Sequence, residues 1–153
     1  MGTKLTVVAA LAVAAVTLTA VASAGSSAGR QRVSIRLTSS GFALTPLTSG
    51  SIKPDAGPVT FCCWTRRSIV RGGESIEINN PQMTLTGKQG TLVTRNVIDW
   101  RDVPDGYSLF TGTWKVIHAT GAYAGLTGGG NGAGVGLPNG NSEATYVGFL
   151  SPK

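Results

Sequence analysis

Beyond residue 30, apolar and polar side chains alternate with period two, and the spacing of a helix is nearly absent. Such alternation marks strands with one buried face, because successive side chains leave a strand on opposite sides. Val33, Ile35 and Leu37 alternate with Arg32, Ser34 and Arg36 as a half-buried strand. Phe42, Leu44 and Pro46 give a second, interrupted one, which the proline pushes toward an edge or bulge. Val59 to Arg66 alternates as a third. Ile76 and Ile78 continue through Asn79-Asn80-Pro81, a bulge or turn, to Met83 and Leu85. Gly87-Lys88-Gln89-Gly90 then reads as a hairpin turn. In the next strand Leu92, Thr94, Asn96, Ile98 and Trp100 share one face, and Val93, Arg95, Val97, Asp99 and Arg101 the other. All its charges fall on the second face, which is therefore the solvent side. Asn96 is left pointing inward. Pro104-Asp105-Gly106 is a turn by its residue types. A strand carrying Phe110, Gly112, Trp114 and Val116 follows, and Glu143 to Leu150 forms the last.

Between those two lies a stripe of alternate glycines: Gly128, Gly130, Gly132, Gly134 and Gly136. Period-two glycine strips one strand face of side chains, while Asn131, Ala133, Val135 and Leu137 occupy the other. A bare face either gives aromatic neighbours room to lie across it or leaves space inside a barrel. Gly136 to Asn141 reads as a loose turn, in which a valine at Gly140 is expected to be nearly silent.

The fold class that follows is all-β. About eight strands joined mostly by short turns favour a single antiparallel meander barrel, because closure removes exposed edges. A two-sheet β-sandwich is the alternative. An eight-strand barrel has room inside for packed side chains or one small ligand.

Residues 1–24 read as a signal peptide. Lys4 supplies the positive start, Leu5 to Ala20 is almost wholly apolar, and Ala22-Ser23-Ala24 fits a small-x-small cleavage site. Residues 25–30 are then a flexible N-terminus and 31–151 the β-barrel domain. The mature protein is expected to be secreted, meeting a membrane only through the leader during export. Loss of Lys4 leaves twelve Lys and Arg against seven Asp and Glu. That surplus is scattered, apart from Arg66, Arg67 and Arg71, and no basic run is interleaved with aromatics. A nucleic-acid partner is therefore not expected. Cys62 and Cys63 are adjacent, and neighbours on a strand point to opposite faces. Two buried or half-buried free thiols are expected, with a vicinal disulfide or an intermolecular link as alternatives.

Little in the chain points to catalysis. His118 is the only histidine and has no nucleophile near it in sequence. Strand parity puts it on the Phe110–Trp114–Val116 face, where it would cap a corner. One histidine and a cysteine pair cannot complete a zinc site. Asp99, Asp102 and Asp105 match no calcium-loop spacing, and Glu74, Glu77 and Glu143 are isolated surface residues. No metal and no cofactor are expected. Asn96, Trp100 and Trp114 are the candidate ligand-binding set, since a polar group among aromatics inside a barrel satisfies a backbone group or orients a ligand.

The sequence His118-Ala119-Thr120-Gly121-Ala122-Tyr123, followed by Leu126-Thr127-Gly128, resembles the corner motif of the barrel superfamily that contains dirigent proteins and allene oxide cyclases, especially its secreted bacterial members. Thr120, Gly121, Tyr123 and Gly128 match that motif; its two leading glycines and its arginine have no counterpart here. The resemblance implies a barrel with a glycine-enabled corner plugged by an aromatic, and a cavity for an apolar small molecule. The expected function is thus a secreted barrel that binds an apolar small molecule in or near its interior without catalysis. A cyclase-like or coupling-directing enzyme, and a basic surface-interaction protein, are the alternatives.

Overall fold

The computed structural model describes residues 29–153; the leader, and all of the expected flexible N-terminus but its last two residues, lie outside the described residues. Eleven strands form one sheet, antiparallel throughout. They are β1 (Gln31–Thr38), β2 (Gly41–Pro46), β3 (Asp55–Gly57), β4 (Val59–Cys62), β5 (Arg66–Arg71), β6 (Glu74–Asn79), β7 (Gln82–Thr86), β8 (Thr91–Asp102), β9 (Ser108–Ala119), β10 (Leu126–Gly136) and β11 (Ser142–Pro152). Single 3-10 turns at Pro104–Gly106 and Gly121–Tyr123 connect β8 to β9 and β9 to β10. The all-β expectation holds.

Closure does not. The hydrogen-bonded path runs β3-β2-β1-β11-β10-β9-β8-β6-β5, and its two end strands do not pair. Neither the closed eight-strand barrel nor the two-sheet sandwich describes this arrangement. The departure begins at two prolines. Pro81 has no N–H to give a ladder, so the strand expected over Ile76–Leu85 divides into β6 and β7, which pair successive stretches of β8. Pro58 divides β3, which pairs β2, from β4, which pairs β7. The chain itself therefore links the two branches of the sheet, and the Thr86 N–H donates to the Pro58 carbonyl at 3.1 Å. The third expected strand stops at Cys62 because Cys63 turns to a φ of +61°.

The sheet curls until β1, β2, β7, β8, β9 and β11 share one core that includes Val33, Ile35, Leu44, Met83, Leu85, Leu92, Trp114, Tyr146 and Leu150. Three rows of paired residues cross it. Asn96, Trp114, Gly130, Gly148 and Val33 form one row. Ile98, Gly112, Gly132, Tyr146 and Ile35 form the next, and Trp100, Phe110, Gly134, Ala144 and Leu37 the third. Each row explains its glycine. A Cβ at Gly132 would enter the Tyr146 ring, one at Gly134 the Phe110 ring, and one at Gly148 would stand 2.7 Å from the Trp114 ring. At Gly132 and Gly134 the bare face of β10 is therefore a bed for aromatic side chains from its neighbours, whereas a Cβ at Gly130 would strike the Val147 carbonyl.

One parity expectation fails. The β8–β9 register shifts between Val93 and Thr94, so Ile117 is looped out and His118 pairs with Val93 on the solvent face. His118 is exposed and does not share the Trp114 face. Cys62 and Cys63 are both free and, against expectation, exposed rather than half-buried.

Candidate functional site

Asn96 and Trp114 are sealed in the core at 1% and 3% exposure, whereas Trp100 is only half-buried. Asn96 has a structural task. Its backbone N–H donates to the Pro81 carbonyl at 3.0 Å, and its side-chain amide donates to the same oxygen at 3.3 Å and to Thr94 Oγ1 at 3.2 Å. The inward amide thus holds the break between β6 and β7 against β8. Asn96 Oδ1, Asn79 Oδ1 and Trp114 Nε1 are buried and find no hydrogen-bond partner among the described residues.

Trp100 stacks on Phe110, ring centroids 5.0 Å apart and planes 3° from parallel. Its Nε1 donates to Asp102 Oδ1 at 3.3 Å. With Arg66, Ser68, Ser75, Glu77 and Asp102 it lines an open groove of about 530 Å³. The β5–β6 hairpin builds this groove. Gly72 and Gly73 adopt φ of +62° and +84°, the pair of positive values that a tight two-residue hairpin needs. The register then puts Arg66 opposite Asn79, Ser68 opposite Glu77, and Glu77 opposite Trp100. Period two keeps Arg66, Ser68, Ser75 and Glu77 on the face of Trp100, while Ile76 and Ile78 turn to the other side and are buried there.

The groove pairs an aromatic floor with a charged rim. Glu77 Oε1 accepts from Asn79 Nδ2 at 2.8 Å and lies 3.9 Å from Arg66 Nη1. Such an exposed ion pair contributes at most about 1 kcal/mol, so a ligand can displace it cheaply. The indole offers a flat apolar surface, Glu77 and Asp102 accept hydroxyl protons, and Arg66 can meet an anionic substituent. Ser68 and Ser75 have no histidine beside them; His118 lines a different cleft, with Val116, Leu126 and Lys153. Among the described residues no group of three or more metal-ligating side chains gathers.

The sequence-predicted set is therefore divided: Asn96 and Trp114 serve packing, and Trp100 alone borders the groove. Arg66, Arg67 and Arg71 do not make one basic patch either. Arg66 belongs to the groove, whereas Arg71 pairs with Asp99 at 3.9 Å and shares the opposite face with Arg67. Ser68, Ser75, Glu77 and Asp102 also line the groove, and the sequence alone did not bring them together with Trp100. The Gly72-Gly73 hairpin turn was the available signal.

The corner motif residues are structural. Thr120 Oγ1 accepts from the Thr91 N–H at 3.1 Å, Gly121 has φ +62°, and Tyr123 is 2% exposed. The Tyr123 hydroxyl donates to Asp55 Oδ2 at 2.8 Å. A Cβ at Gly128 would strike the Phe149 carbonyl. Asp55, another residue that sequence reasoning passed over, also accepts from the N–H groups of Ala56, Lys88 and Gln89 at 2.9, 2.9 and 3.2 Å. Burial alone would raise its carboxyl; the Tyr123 hydroxyl and the three N–H groups outweigh that and hold it below the usual carboxylate range.

No family model, no curated protein and no solved structure matches this chain.

Proposed function

We propose that the protein is a secreted, non-catalytic ligand-binding protein whose ligand lies in the groove floored by Trp100. One observation carries the reading: of the three residues expected to bind a ligand, only Trp100 keeps part of its surface open, and a hydrogen-bonding rim surrounds it. The filled glycine bed argues against a ligand deep between Trp114 and Tyr146, where backbone and rings already occupy the space. The mixed lining shifts the ligand from the wholly apolar molecule expected of an interior site to an amphipathic ring. Its apolar face stacks on Trp100, its hydroxyls reach Glu77 and Asp102, and an acidic substituent reaches Arg66. Phenolic glycosides and hydroxylated aromatic acids have this chemistry.

The corner formed by Thr120, Gly121, Tyr123 and Gly128 supports a relation to the dirigent and allene oxide cyclase superfamily as a matter of architecture. A coupling-directing or cyclase role in the same groove is the second reading. Isothermal titration with a panel of phenolic glycosides, hydroxylated aromatic acids and simple alkanes tests the class. Binding to the hydroxylated rings, abolished in Trp100→Ala and weakened in Glu77→Gln, is expected. Preferential binding of alkanes, or full binding by Trp100→Ala, contradicts it.

A further inference from the structure

Strand β4 ends in Phe61-Cys62 and runs into Cys63-Trp64, and all four residues are exposed. Cys62 is still extended, but Cys63 has a φ of +61°, a left-handed conformation that few residues other than glycine adopt. In a regular strand φ lies near about −120° to −140°, and neighbouring Cβ atoms leave on opposite faces. Turning φ of the second residue by about half a circle carries its Cβ to the side of the first. The conformation at Cys63 therefore undoes the alternation that would separate the two sulfurs. Both thiols are free.

The surroundings favour a small, soft ligand. The rings of Phe61 and Trp64, which flank the pair in sequence, stand 6.0 Å apart, and the Arg66 guanidinium lies 5.6 Å from the Trp64 ring. Among the described residues no third metal-ligating group joins the pair, so a tetrahedral zinc set is not assembled there. Two thiolates are enough for a d10 ion that accepts linear coordination, and thiolates select copper(I) over harder cations. We propose that Cys62 and Cys63 form a two-thiolate site for a soft monovalent cation, copper(I) or its analogue silver(I). Two S–H bonds break, their protons pass to solvent, and two sulfur–metal bonds form without change of oxidation state. The bis-thiolate complex carries one negative charge, which the Arg66 guanidinium over Trp64 helps to offset.

Titration of the reduced mature protein with silver(I), under anaerobic conditions in a non-coordinating buffer, tests the site. One ion per chain should bind, with two protons released per ion and quenching of tryptophan fluorescence that Trp64→Phe removes. Copper(I) should compete for that same equivalent. Cys62→Ser and Cys63→Ser should each bind as weakly as the double variant, because a single thiolate cannot complete the pair. Far-UV circular dichroism should be unchanged in all three, since both thiols are exposed. Independent binding of two ions per chain, wild-type affinity in either single variant, or no binding by the reduced pair overturns the proposal.

Discussion

The Tyr123 hydroxyl donates to the Asp55 carboxylate at 2.8 Å across 68 positions of chain, and this one bond ties the 3-10 corner before β10 to strand β3. Asp55 also collects the backbone of the β7–β8 hairpin at Lys88 and Gln89. Three distant segments thus meet on one buried carboxylate. Tyr123→Phe leaves the ring in place but removes a hydrogen bond to a charged acceptor, a loss of about 1.5 to 3 kcal/mol. Urea unfolding should show that loss. An unchanged midpoint would mean that the bond is not made in solution.

The same carboxylate sets an acid limit. Its folded pKa lies below the unfolded value near about 3.9, so its contribution is complete above that pH and disappears as pH falls through the folded value. Melting temperature should fall as pH drops below about 4, and Asp55→Asn should flatten that slope while lowering the plateau. A slope unchanged in Asp55→Asn would assign the acid limit to other groups.

An alkaline limit follows with the opposite sign. Burial pushes the Tyr146 hydroxyl up to about 12, and burial, then the bond to Asp55, raises Tyr123 as well. For acids raised on folding, stability is complete below the unfolded value near about 10 and is lost as pH rises through the folded one. Tyr146→Phe should therefore lose less stability than the native chain between about pH 10 and pH 12, as thermal melts across that range will show.

The glycine bed makes a graded series. Gly132→Val and Gly134→Val drive a side chain into Tyr146 and Phe110, and overpacking of this kind costs about 1 to 3 kcal/mol. Gly140 behaves differently from the silent site expected of a loose turn. Nothing lies within 4 Å of a Cβ there, yet its φ is +81°. Gly140→Val should cost roughly 1 to 2 kcal/mol through backbone strain, whereas Gly140→Asn should be nearly neutral. Equal losses for valine and asparagine at Gly140 would contradict that assignment.

Much of the architecture was legible because it is local. The inward face of β8, the bare face of β10 and the turn at Gly87–Gly90 follow from period two and turn residues alone. What stayed hidden depends on pairing between distant segments. The outlooped Ile117 reverses the parity of His118, yet nothing in Ser108–Ala119 marks that residue as the bulge. The break at Pro58 sends one segment to two different partners, so the alternation around it gave no warning that the barrel would stay open. Trp100 was visible as an inward aromatic. Its company was not, because Glu77 and Ser68 reach it only through the β6–β8 and β5–β6 registers. Asn96 was visible as an inward amide, and only the structure shows that Pro81 claims it.

The most direct measurement of the central claim is a ¹⁵N correlation spectrum of the three tryptophan indoles during titration with a bound hydroxylated aromatic acid or glycoside. The Trp100 Nε1 resonance should shift, because its bond to Asp102 lies in the groove, while the sealed Trp114 resonance stays where it is. A shift confined to Trp114 would put the ligand in the interior and contradict the groove.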